Sequence, residues 1–141
     1  MKVKVVYTSH CKDAKLLAED IARYAKTYAQ SIEHFDFSEE IDLLVLGFDD
    51  YLCLKDKELE QFVSKLQRKY IKNLALFNTF IFNNKKMEKT IQLCQKNDLP
   101  LMRETYSAKR GLKCKQRLNN DTIEGGRLYI EDMIVICKKY Y

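Results

Sequence analysis

A chain of 141 residues with 46% hydrophobic content is long enough to bury one ordinary core, and it reads as a single domain over residues 1–141. Four glycines and one proline leave no room for a flexible linker or a disordered tail, and no apolar run approaches the roughly 18 residues of a membrane helix. The net charge of +5 is segregated: residues 31–60 hold ten acids against Lys55 and Lys57, while residues 109–117 hold five bases and no acid, and this acidic middle argues against a nucleic-acid groove.

Val3, Val5, Val6 and Tyr7 read as a first strand. Lys2 and Lys4 alternate with valines there and no apolar signal core follows, so the segment is not a secretory leader. Ala14, Leu17, Ala18, Ile21, Ala22 and Ala25 then recur at helical spacing, the stripe of a helix lying on a sheet. Residues 31–37 read as a weaker second strand. Residues 41–48, IDLLVLGF, form a near-continuous apolar run closed by glycine and phenylalanine, as expected of a strand buried on both faces. Asp56 is placed to cap a helix carrying Leu59, Phe62, Val63 and Leu66. NLALF at 73–77 is another buried strand. Met87, Thr90, Ile91 and Cys94 mark a third helix that stops at Asn97 before Pro100. Residues 101–107 read as a fifth strand, and a last helix presents Ile130, Met133, Ile134 and Cys137 on one face.

Five strands alternating with helices predict an α/β fold: a three-layer sandwich with a five-stranded parallel sheet and helices on both faces. The link between the second and third strands is too short for a crossover helix. In such sheets ligands bind beyond the carboxyl ends of the strands, which places a site in the loops at 8–13, 48–55, 78–84 and 108–118. Cys11, Cys53, Cys94, Cys114 and Cys137 are scattered without a C-x-x-C, and only His10 and His34 offer imidazoles. No metal site is expected from them; reduced thiols of a cytoplasmic protein are the plain reading.

The loop after the first strand, Thr8-Ser9-His10-Cys11-Lys12-Asp13, opens a helix, and a strand, tight loop and helix N-terminus together form an anion cradle. A phosphatase loop with Cys11 as nucleophile would need an arginine six positions on, where Leu17 stands. A phosphorylated receiver switch would need paired acids after the first strand, where Thr8 and Ser9 stand. Neither pattern is met. Tyr7 and Ser9, with Ala18 and Ile21 in the helix, resemble the Tyr-x-Ser-x-Thr-Gly-Asn-Thr loop and following helix of flavodoxins. DLLVLGF at 42–48 and NLALFNT at 73–79 are similar to the third and fourth strands of short flavodoxin-like proteins.

That resemblance implies an FMN cofactor. Its phosphate would lie on Thr8, Ser9, His10, Cys11, Lys12, Asp13 and Ala14, and its ring against Phe48, Asp49, Tyr51, Asn78, Thr79 and Phe80. The family's Thr-Gly-Asn-Thr reads Cys11-Lys12-Asp13-Ala14 here, so two hydroxyls and a glycine are replaced; each lost hydrogen bond to a charged group weakens binding by roughly 1.5–3 kcal/mol. Ser9, the backbone N–H groups, the helix dipole and Lys12 remain to attract a dianion. Two functions follow. The first is an FMN-binding electron carrier, without substrate chemistry or catalytic residues of its own, that docks a redox partner protein at an acidic rim of Asp49, Asp50 and Asp56. The alternative is a flavodoxin-fold interaction or regulatory module without tight FMN binding.

Overall fold

The computed structural model describes residues 1–8, 12–50, 56–110 and 119–140. Strand β1 (Val3–Tyr7) leads into α1 (Lys12–Tyr24), β2 (Ala29–Ser31), β3 (Leu43–Asp50), α2 (Lys57–Lys65), β4 (Leu74–Phe80), α3 (Lys85–Lys96), β5 (Tyr106–Lys109) and α4 (Asn120–Tyr140). All pairings are parallel and the strand order is β2-β1-β3-β4-β5.

Alternation along each strand sorts the core into two halves. Val5, Val45 and Phe77 face one side, where Leu17 and Ile21 of α1 meet Ile130 and Met133 of α4. Val6, Leu44, Leu46 and Phe48 face the other, against Leu59 and Phe62 of α2 and Met87 and Cys94 of α3. The eight residues of β3 are all buried, which is why its sequence is a continuous apolar run rather than an alternating one. Among the described residues no helix is long and apolar enough to cross a membrane.

Two strands fall elsewhere than their sequence implies. The second was expected over residues 31–37, but β2 ends at Ser31, whose hydroxyl accepts from the Glu33 N–H at 3.4 Å and starts a 3₁₀ turn over Ile32–His34. The turn frees Phe35 and Phe37 to pack with Phe62, with ring centroids 5.1 and 5.3 Å from it, and that aromatic cluster outweighs continued pairing on a sheet edge. No crossover α-helix joins β2 to β3, as the short link implied.

The fifth strand was expected over residues 101–107. Leu101 makes only an isolated bridge to Leu74, and the regular strand begins at Tyr106. The cause is the Tyr129 hydroxyl, which reaches from α4 to the Leu76 carbonyl at 3.2 Å and the Glu104 carbonyl at 2.8 Å. A side-chain hydroxyl thus sits where a strand ladder would otherwise run.

Candidate functional site

β3 and β4 end side by side at the carboxyl edge of the sheet, with Asp49 opposite Thr79 and Asp50 opposite Phe80. Helices α1, α2 and α3 begin around this edge, and the first-turn N–H groups of each helix lack intrahelical acceptors. Acids from the end of β3 and just beyond meet those groups one by one. The Ala14 N–H of α1 donates to Asp49 Oδ1 at 2.9 Å, and the Asp13 N–H donates to the same carboxylate. The Lys86 N–H of α3 donates to Asp50 Oδ2 at 2.7 Å. The Leu59 N–H of α2 donates to Asp56 Oδ1 at 3.1 Å, as a cap placed at Asp56 predicts. Three carboxylates therefore cap three different helices, each at the positive end of a helix dipole.

This arrangement corrects the acidic rim. Asp49, Asp50 and Asp56 are only 7%, 1% and 6% exposed, so none of them forms a solvent-facing patch. Aspartates after a strand read as surface charge in a sequence, because the helix ends that claim them are distant along the chain. Beneath them lies Lys86, equally buried, whose ammonium donates to the Asp49 carbonyl at 2.9 Å and pairs with Asp56 Oδ2 at 3.5 Å. Standing beside Lys85 in a polar run, Lys86 carries no sequence signal of burial.

The Asp49 carboxylate also accepts from the Thr79 hydroxyl. Burial pushes the Asp49 carboxyl above the usual carboxylate range; the Thr79 hydrogen bond pulls it back, and the charge of Asp13 adds to the upward shift. Asp13 is buried next to it and pairs with Arg110 at 2.5 Å. The Arg110 N–H donates to the Phe80 carbonyl at 2.7 Å, which places the guanidinium between the end of β4 and the start of α1. Arg110 was missed as a site residue; its signal was its place at the head of the basic stretch after β5.

The structure thus brings Asp13, Ala14, Asp49 and Thr79 together around the start of α1. Thr8 is buried and its N–H donates to the Gly47 carbonyl at 3.2 Å, while Lys12 is exposed at the first position of α1. Asn78 is buried and donates to Asn84 at 2.6 Å, and Asn84 donates in turn to Ser107 at 2.9 Å, tying β4 to α3 and β5. Phe80 is the half-buried last residue of β4. Phe48 is a correction: it lies inside β3, fully buried against α2 and α3, because alternation turns it to the core and away from any loop. Ser9, His10, Cys11 and Tyr51 lie outside the described residues. Cys94 is buried and its thiol is pushed up to about 12 by that burial, which leaves it unreactive. Among the described residues, no group of three or more His, Cys, Asp or Glu side chains is placed to hold a metal ion.

No protein-family profile and no curated protein matches the sequence. Solved structures do. A flavodoxin from the domain Archaea superposes with a TM-score of 0.74 at 14% identity, covering 98% of this chain and 99% of that one. Flavodoxin 2 from Bacillus cereus gives 0.75 at 14% identity, over 96% of this chain and 99% of its own. A Streptococcus pneumoniae TIGR4 flavodoxin gives 0.73 at 12% identity, over 95% and 98%. The strand order, the two helical layers and these end-to-end superpositions agree, and the chain has the flavodoxin-like fold.

Proposed function

We propose that this protein is a flavodoxin-fold interaction or regulatory module in which a side-chain carboxylate takes the place of a cofactor phosphate. The observation that carries this reading is the Asp49 carboxylate on the first-turn N–H groups of α1. By the flavodoxin resemblance, those groups and the loop before them are where the FMN phosphate would lie. The described residues do not fit it. A phosphate brought to the same N–H groups meets Asp49 directly, with Asp13 beside it. Two like charges about 4 Å apart near a protein surface repel by about 4 kcal/mol. That exceeds the roughly 1.5–3 kcal/mol that a hydrogen bond to a charged group returns. Repulsion from Asp49 therefore outweighs what one surviving donor such as Ser9 supplies, while the Arg110 guanidinium is already paired with Asp13 and the Lys12 ammonium is exposed to solvent, where its attraction is weak.

A second reading, an FMN-binding electron carrier that serves a partner protein in the cytoplasm, is favoured by the superposition on the archaeal flavodoxin over 98% of this chain. The two readings part on a simple test. Purified protein is expected to be colourless, and titration with FMN, followed by absorbance and by quenching of flavin fluorescence, is expected to give no saturable micromolar complex. Protein that retains stoichiometric FMN through purification would establish the carrier reading instead.

A further inference from the structure

We propose that a cavity at the opposite end of the sheet binds a small amphipathic anion, an apolar body carrying one carboxylate, sulfonate or phosphate group. The cavity follows from the late start of β5. α4 has 21 residues and at about 1.5 Å per residue outruns the four-residue strand it covers. Met102 still donates its N–H to the Leu74 carbonyl at 2.8 Å, but residues 103–105 leave the ladder where the Tyr129 hydroxyl bonds the Glu104 carbonyl, so no regular strand runs beside the start of β4. The resulting space, between α4, the start of β4 and the segment after α3, measures about 480 Å³. Sites for small molecules occupy roughly 300–1,000 Å³.

The walls are Leu99, Met102, Met133 and Ile136, with two flexible thioethers among them that adapt to an irregular apolar body. Arg68, Lys72 and Arg103 stand in the lining, against Glu104 as its one acid. Two of these cations are held in place from outside the cavity. The Arg68 Nε donates to the Asp98 carbonyl at 2.8 Å and its Nη2 pairs with Asp98 Oδ1 at 3.3 Å, while Lys72 pairs with Asp42 at 3.2 Å. Neither Asp42 nor Asp98 lines the space. Arg103 makes no ion pair among the described residues. An apolar floor with positioned cations above it selects a ligand that is greasy at one end and anionic at the other. The site is independent of the α1 N-terminus, so its fate and that of the proposed function are separate.

The probe is 8-anilinonaphthalene-1-sulfonate, titrated into the intact chain and read by fluorescence. One probe per chain is expected, with affinity reduced about tenfold or more by Ile136→Trp, which fills the space, and severalfold by Arg103→Glu, both variants melting close to wild type. Should Ile136→Trp fail to fold, Leu101→Trp fills the cavity from the facing wall. The uncharged analogue N-phenyl-1-naphthylamine is expected to bind more weakly than the sulfonate. Absence of saturable binding, unchanged affinity in the folded variants, or equally tight binding of the uncharged analogue would each overturn the proposal.

Discussion

Replacing Asp56 with alanine is expected to lower the unfolding free energy by about 3–5 kcal/mol, because it strands the buried ammonium of Lys86. The loss has two parts. The α2 cap to the Leu59 N–H disappears, which alone costs about 0.5–2 kcal/mol. The larger part is the charge left behind, since both side chains of the pair are nearly sealed from water and the remaining Lys86 contact is to the Asp49 carbonyl. Denaturant unfolding of the single variant and of Asp56→Ala with Lys86→Met separates the parts. The double variant is expected to recover most of the loss, retaining only the missing cap. A single-variant loss below about 1 kcal/mol would mean that Lys86 finds water or another partner.

Gly47→Ala is expected to destabilise by about 3 kcal/mol, at the upper end of what overpacking costs. Gly47 lies opposite Phe77 in the β3–β4 register, and a Cβ added there would come within 2.0 Å of Phe77 Cζ, at the tip of the ring. Phe77 is fully buried among residues of the α1 and α4 layer, so the ring has nowhere to move. The requirement is for space; the backbone of Gly47 has no positive φ. Gly47→Ala combined with Phe77→Leu is expected to regain a substantial part of the melting temperature lost by the single change. No regain would place the strain in β3 itself.

The fold was legible because its signals are local and periodic. The helical stripes of Leu17 and Ile21, of Leu59 and Phe62, and of Ile130 and Met133 each end up buried, and the apolar runs became the two central strands. The edge strands were less legible for a physical reason: their limits are set by side chains from elsewhere, Ser31 and the Phe35–Phe37–Phe62 cluster for β2, Tyr129 for β5. The site was legible as a place and not as a chemistry. Loop positions gave Asp13, Ala14, Asp49 and Thr79 together, but nothing in the linear sequence tells that Asp49 turns back onto a helix that begins 37 residues before it. Phe48 illustrates the same limit on a smaller scale. One step of strand alternation decides whether an aromatic faces a cofactor or a core, and here it faces the core.

The central claim is that the Asp49 carboxylate occupies the anion position at the start of α1, and the most direct test compares FMN with riboflavin, which lacks the phosphate. Wild type is expected to bind FMN no more tightly than riboflavin. In Asp49→Ser, which removes the charge and leaves a hydroxyl, the preference for FMN over riboflavin is expected to rise at least about tenfold. A wild-type protein that already prefers FMN strongly, or an Asp49→Ser protein with an unchanged ratio, would contradict the account.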